Sequence, residues 1–245
     1  MLSPEEIKRY DRQIRIRGFG EEGQRRLGGA KVAVVGLGGL GCPVSLYLTA
    51  AGVGYLRLID KDRVGLQDLN RQILYRQEDV GEQKAELAAR RLRELNPHVE
   101  VEPVATELNE RNAVSLLGDV DLVVDCLDNW TTRFVVNDAC VSMGKPFIHA
   151  GIRGFYGQVT TVMPGEGPCL RCIIKTTPPE EGIIPVLGAT AAAIASLEAM
   201  EAIKLITGLG EPLVGRLLLF NGLEMRFEEV IIKRDSKCPV CGRLR

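Results

Sequence analysis

The sequence predicts an α/β fold, a mostly parallel sheet with helices on both faces, extended by antiparallel C-terminal strands. Three observations carry that expectation. Short apolar, β-branched runs alternate with helical patterns between residues 31 and 150. A glycine-rich turn joins the first such run to a helix, and the next run ends in an acid. After Gly151 the alternation gives way to extended segments around one long Ala-rich helix.

Residues 3–29 read as helical and polar, with Arg9, Arg12, Arg15 and Arg17 giving a cationic stretch. Ser3 followed by Pro4 and acids reads as a helix cap with proline at the first helical position. Residues 31–35 form a run typical of a strand buried on both faces. The glycine turn 36–41 then opens a helix to about Ala51, and residues 55–60 make the next strand. Helical patterns follow at 68–76 and 82–95, the second closed by Asn96-Pro97. Strands are expected at 99–104, 121–126 and 146–150, with a helix from about Thr131 to Met143. Beyond Gly151, a strand at 157–162, a turn at 169–172, a polar loop at 175–184, a helix at 187–207 and two closing strands at 216–220 and 225–232 complete the chain. The expected organisation is one domain over 1–245, with a helical arm (1–29), a nucleotide-binding core (30–150) and a smaller C-terminal layer (151–245).

Composition narrows the function classes. Of 245 residues, 45% are hydrophobic and 26% charged, enough apolar surface to fold rather than remain disordered. The net charge of −1 gives no global basic field for nucleic acid or anionic lipid. The most apolar long stretch, 183–200, is rich in small residues and carries Glu198, so no membrane span is expected. The first residues lack the basic and apolar regions of a signal peptide, and a cytoplasmic location is expected.

A glycine pattern alone is weak evidence, but here its setting is right. Gly36, Gly38, Gly39 and Gly41 follow a strand and open a helix, and Asp60 lies 19 residues beyond Gly41. This is the Rossmann-like arrangement: glycines allow a tight turn and close backbone approach, and the helix N-terminus favours phosphate. Asp60 can accept hydrogen bonds from two ribose hydroxyls. Either NAD or ATP satisfies these residues. The cations after the second strand favour the triphosphate: Arg71 can fork onto phosphate oxygens and Lys84 can add a point charge. Asp128, at a strand C-terminus, is a carboxylate suited to Mg²⁺ against phosphates. Of seven cysteines, Cys42, Cys126 and Cys140 read as buried apolar residues. Cys169, Cys172, Cys238 and Cys241 form two C-x-x-C pairs 65 residues apart, enough thiolates for a closed structural Zn²⁺ site.

Taken together, Arg9-Tyr10-Asp11-Arg12-Gln13, the glycine loop, Asp60, residues 68–72, Lys84, Asp128-Asn129 with Arg133, and the cysteine pairs resemble the MoeB/ThiF/HesA family of ubiquitin-activating-enzyme-like adenylyltransferases. The resemblance runs from Arg9 to Cys241. It implies ATP-dependent adenylation of the C-terminal glycine carboxylate of a small ubiquitin-like sulfur-carrier protein ending in Gly-Gly, for molybdopterin or thiamine-type sulfur transfer. It also implies a homodimer in which Arg12 reaches into the partner's nucleotide site. By that analogy Asp60 holds the ribose, Asn70, Arg71 and Lys84 hold phosphates, Gln72 and Asn129 belong to the nucleotide site, and Asp128 serves Mg²⁺. The C-terminal layer would bind the carrier and be stapled by zinc.

The chemistry agrees with this residue list. A carboxylate is already ionised and nucleophilic, so no general base is required. Catalysis is then positioning plus cations on developing charge. The only histidines, His98 and His149, have no acid–base partners by spacing and read as structural. Members that bond covalently to the carrier use a cysteine in the loop before the long helix. Residues 176–184 contain none, with the position falling near Glu181, so sulfur is expected from another protein. Three rival readings share some residues. An NAD-dependent dehydrogenase leaves Arg71, Lys84 and the cysteine pairs without a role. A non-catalytic nucleotide-binding scaffold leaves the reactive constellation unused. A tRNA-modifying dehydratase with the same adenylation step would want a basic excess for RNA.

Overall fold

The computed structural model describes residues 2–179 and 182–242. Its parallel strands are β1 (Lys31–Val35), β2 (Tyr55–Ile59), β3 (Glu100–Val104), β4 (Leu122–Asp125) and β5 (Phe147–Arg153). Antiparallel strands β6 (Tyr156–Val162), β7 (Arg216–Asn221) and β8 (Arg226–Ile231) extend the same sheet. The spatial order is β3-β2-β1-β4-β5-β6-β7-β8. The predicted α/β class and its antiparallel extension are therefore both present.

The helices are α1 (Pro4–Arg9), α2 (Asp11–Ile14), α3 (Gly20–Gly29), α4 (Gly41–Ala51), α5 (Lys84–Leu95), α6 (Ala113–Leu117), α7 (Trp130–Met143), α8 (Leu170–Ile173) and α9 (Gly188–Thr207). The alternation of side chains along β1 sorts them into two cores. Val32 and Val34 pack with Leu48 of α4, Leu92 of α5 and Ile194 of α9. Ala33 and Val35 face the other way, with Leu117 of α6 and Phe134 of α7. Each fully buried aliphatic side chain contributes about 1.5–3 kcal/mol, which is why the apolar runs occupy the sheet centre. α9 also packs on β6. Gly157 is required there, because a Cβ would lie 2.3 Å from Ile194 Cγ1.

Strand order reverses at β1, whose neighbours are β2 on one side and β4 on the other. In open α/β sheets this switch point, at the carboxyl ends of the strands, is where ligands bind.

Three local expectations need correction. The helical arm over 3–29 is broken into α1, α2 and α3. The break at Tyr10 inserts its ring into the interior, where its hydroxyl accepts from Asn96 Nδ2 at 2.8 Å. The helix expected at 68–76 is instead a 3-10 turn at Leu66–Asp68 followed by turns. Asp68, Gln72 and Tyr75 are all drawn inward there, and the Tyr75 hydroxyl donates to Leu37 O at 3.0 Å, strapping the segment over the glycine loop. The turn expected at 169–172 is the short helix α8, with Cys169 at its N-cap. No helix among the described residues is long and apolar enough to cross a membrane.

Candidate nucleotide site and cysteine cluster

A cavity of about 1190 Å³ opens at the switch point. Its floor begins with the turn after β1. Gly36 has φ +91°, and a Cβ on it would lie 2.7 Å from the Cys126 carbonyl oxygen. Gly41 is closer still, since its Cβ would lie 1.9 Å from the Gly36 carbonyl oxygen. Both positions accept glycine only. Gly38 and Gly39 have nothing nearer than 3.4 Å and leave backbone open to the cavity.

Asp60 follows β2 and lines the same cavity. Its Oδ2 accepts from Leu37 N–H and its Oδ1 from Asp62 N–H, each at 2.7 Å. Burial pushes its pKa up, against the stabilisation from those amides and Lys84. Two amides thus fix the carboxylate's direction and leave lone pairs for further donors.

The cations are organised by a residue that sequence alone does not separate from its motif. Asp68, buried beneath the strap, places Oδ2 3.2 Å from Lys84 Nζ and Oδ1 3.4 Å from Arg71 Nη2. The Gly65 amide adds a third contact at 3.0 Å to Oδ2. Arg71 is further tied by Nη1 to Gln67 O at 2.8 Å and Asn70 Oδ1 at 3.1 Å. One buried carboxylate therefore holds both cations to the cavity wall. Gln72, also buried there, has an Oε1 without a partner among the described residues.

Asp128 is exposed at the cavity rim, after β4. Asn129 caps α7, its side chain accepting from Thr132 N–H at 2.8 Å. Arg12, on α2, is exposed and does not line this cavity. Gly36, Gly38, Gly39, Asp60, Arg71, Gln72, Lys84, Asp128 and Asn129 all line it. The position near Glu181, where a covalent cysteine would stand, lies outside the described residues.

His149 does have an acid partner. Its Nδ1 stands 2.7 Å from Asp125 Oδ2, and the two residues are register partners across β4 and β5. Sequence spacing hides this pair, because strand pairing brings together residues 24 positions apart. Arg133 Nε lies 3.7 Å from the same oxygen. Burial lowers the His149 pKa, against the opposing pull of Asp125. His98 is at the periphery, 3.4 Å from Glu5 Oε1.

Away from the cleft, the four paired cysteines converge as expected. All are buried, and their sulfurs lie within 4.8 Å of one another. Cys169 Sγ is 3.7 Å from Cys238 Sγ, and Cys172 Sγ is 3.3 Å from Cys241 Sγ. These separations exceed a disulfide bond of about 2.05 Å. They approach the S···S spacing of about 3.8 Å that tetrahedral thiolates at about 2.3 Å from zinc require. Burial opposes ionisation of Cys238, yet the amides of Cys241 and Val240 bring its thiol down to about 7. Burial and Cys172 push Cys241 up to about 11. The donor set fits a closed Zn²⁺ site with no position left for water. It would tie α8 to residues 238–241.

Sheet order and glycine turn define a Rossmann-like α/β fold, with two cations held together at its switch point. The profile of the ThiF family matches residues 10–240, and the chain belongs to that family. It is an adenylyltransferase, in agreement with the resemblance carried by its motifs. A sulfur carrier protein adenylyltransferase of Thermus thermophilus is 47% identical over 249 residues, covering 97% of this chain and 92% of that protein. The adenylyltransferase and sulfurtransferase MOCS3 of Drosophila ananassae is 44% identical over 247 residues. That match covers 98% of this chain but 55% of the relative, so the chain spans about half its length. The crystal structure of E. coli MccB with MccA-N7isoASN superposes with a TM-score of 0.89 at 26% identity, over 99% of this chain and 76% of that one.

Proposed function

We propose that the protein uses ATP to adenylate the C-terminal glycine carboxylate of a small ubiquitin-like sulfur-carrier protein of the MoaD or ThiS type, serving molybdopterin- or thiamine-type sulfur transfer. The observation that carries this reading is Asp68 aiming Lys84 and Arg71 at a cleft built on the Gly36–Gly41 turn. The near full-length relationship to a sulfur carrier protein adenylyltransferase supports the choice of substrate.

In the reaction a carboxylate oxygen of the carrier bonds to the α-phosphorus of ATP, and the bond from that phosphorus to the bridging oxygen breaks. Pyrophosphate leaves with the electron pair, and no proton has to move. The barrier is repulsion between anions, so preorganised positive charge is the main contribution expected from the protein. Asp60 would accept from the ribose hydroxyls. The open backbone at Gly38 and Gly39 would receive phosphate, with Asn70 and Gln72 close by. Lys84 and Arg71 would exchange part of their contact with Asp68 for phosphate oxygens. Asp128, assisted by Asn129 beside it, would hold Mg²⁺, which neutralises phosphate charge when bound. Arg12, exposed on α2, would act in the cleft of a second copy in a homodimer. The four-cysteine site would hold zinc structurally, and the carrier would dock against the C-terminal layer.

The test is pyrophosphate exchange. Label should pass from pyrophosphate into ATP only when Mg²⁺ and a carrier with a free Gly-Gly terminus are both present. Exchange that ignores the carrier, or none with any Gly-Gly carrier, would reject this function.

A further inference from the structure

The buried Asp125–His149 pair has no part in the phosphate chemistry, yet it reaches the cleft through one side chain. Asp125 is wholly buried at the end of β4 and is surrounded by donors. Leu127 N–H reaches Oδ1 at 3.1 Å, His149 Nδ1 reaches Oδ2 at 2.7 Å, and Arg133 Nε stands 3.7 Å from Oδ2. A carboxylate so placed accepts, so the proton of the imidazole sits on Nδ1. Burial lowers the ring's pKa against the pull of Asp125 and so favours the neutral imidazole, whose Nε2 carries a lone pair when Nδ1 holds the proton. Gln158 Nε2 lies 3.2 Å from that atom. An amide nitrogen can only donate, so the contact fixes which way the Gln158 amide faces.

Gln158 Oε1 is thereby the free end of the amide. It takes no hydrogen bond from the described residues, and Gln158 is half-buried in the cleft wall. Its register partner across β5 and β6 is Gly151. A Cβ there would lie 3.3 Å from Gln158 Nε2 and 3.5 Å from Arg133 Nη1, so the wall beside the amide is bare backbone. A lone acceptor repels phosphate and carboxylate oxygens. It suits a donor that arrives without a side chain and must leave water on entering, and a glycine peptide N–H meets both conditions.

We propose that Gln158 Oε1 accepts the peptide N–H of the carrier's C-terminal residue, with His149 and Asp125 as positioning residues that hold the amide in that orientation. This rests on the carrier-adenylation reading above. It assigns a specificity element for peptide tails to the β5–β6 side of the cleft.

The experiment compares a carrier ending in Gly-Gly with one whose last peptide N–H is replaced by an ester oxygen, using pyrophosphate exchange. The wild-type protein should show a KM about tenfold higher for the ester, equivalent to one hydrogen bond of about 1.4 kcal/mol. Gln158→Leu should bring the ester-to-amide ratio close to one, and His149→Phe should lower it in the same direction, with the KM for ATP unchanged in both. Equal KM values for the two carriers in the wild-type protein would overturn the acceptor role without any variant. Variants that lose activity on both carriers but keep the tenfold ratio would overturn it too, as would a raised KM for ATP, which would assign the acceptor to the nucleotide. No exchange with either carrier would overturn the adenylation reading itself, and this assignment with it.

Discussion

Replacing Glu198 by Gln should shift stability relative to wild type in the favourable direction as pH rises. Glu198 lies on α9 against the end of β4, fully buried. Its Oε2 is 4.0 Å from Cys126 Sγ, and its Oε1 has no partner among the described residues. Burial, and then the charge of Asp125, push its pKa well above the ordinary carboxylate value of 4.5, with Arg133 pulling the other way. Below pH 4.5 both folded and unfolded chains carry the proton, and the group has no effect on their balance. As pH rises, the unfolded chain releases a proton that the folded chain keeps. Stability then falls by about 1.4 kcal/mol per pH unit until the folded acid itself ionises. Gln has no such proton. The stability difference between Glu198→Gln and wild type should therefore grow as pH rises above 4.5, with a slope of at most about 1.4 kcal/mol per pH unit. Exchanging a hydroxyl for an amide adds an offset, but one that does not vary with pH. Urea denaturation at pH 5, 6 and 7 would measure the slope, with m-values checked for constancy. Parallel stability curves for the two proteins would refute the buried neutral acid.

Three further outcomes follow from the cleft and the cysteine cluster. Asp128→Ala should lose Mg²⁺-dependent pyrophosphate exchange while keeping the wild-type melting curve, because Asp128 is exposed and outside the core; unchanged exchange would remove it from the site. Mixing inactive Arg12→Ala and Arg71→Ala proteins should restore part of the activity, since a mixed dimer can contain one intact cleft; no recovery despite demonstrated subunit exchange would count against a shared site. Cys238→Ser should remove a metal present at about one zinc per chain, and loosen residues beyond about Gly165 while leaving nucleotide binding at Gly36 and Asp60 largely intact. Elemental analysis and hydrogen exchange would check this, and an active, reduced wild-type protein without metal would contradict it.

The parallel sheet is legible in the sequence because its strands are apolar runs bounded by punctuation: 31–35 by the glycine turn, 121–126 by Asp128 and the helix that follows. Local signals of this kind survive folding because burial on both faces leaves a strand few alternatives. The cysteine cluster is legible for a different reason: thiols in two C-x-x-C pairs have few other uses in such number. The strap at 66–79 imitates a helix in sequence, but the tertiary pull on Asp68, Gln72 and Tyr75 overrides helical spacing. Asp68 stands within a recognisable motif, but its hold on both Arg71 and Lys84 depends on the fold that brings α5 beneath the strap. The Asp125–His149–Gln158 chain emerges only from strand register, which pairs residues far apart in sequence. A sequence signal exists, in polar residues at the C-terminal ends of neighbouring apolar strands, but it says nothing about which ones meet.

The fate of the α-phosphate decides whether AMP passes to a carrier's terminal carboxylate. The protein should be mixed with Mg²⁺, a Gly-Gly carrier and ATP labelled in either its α- or its γ-phosphate. Label from the α-position should appear on the carrier in an acid-stable, hydroxylamine-sensitive linkage, and label from the γ-position should leave as pyrophosphate. Label from the γ-position on the carrier, or α-label that never leaves ATP in the presence of a competent carrier, would contradict the account.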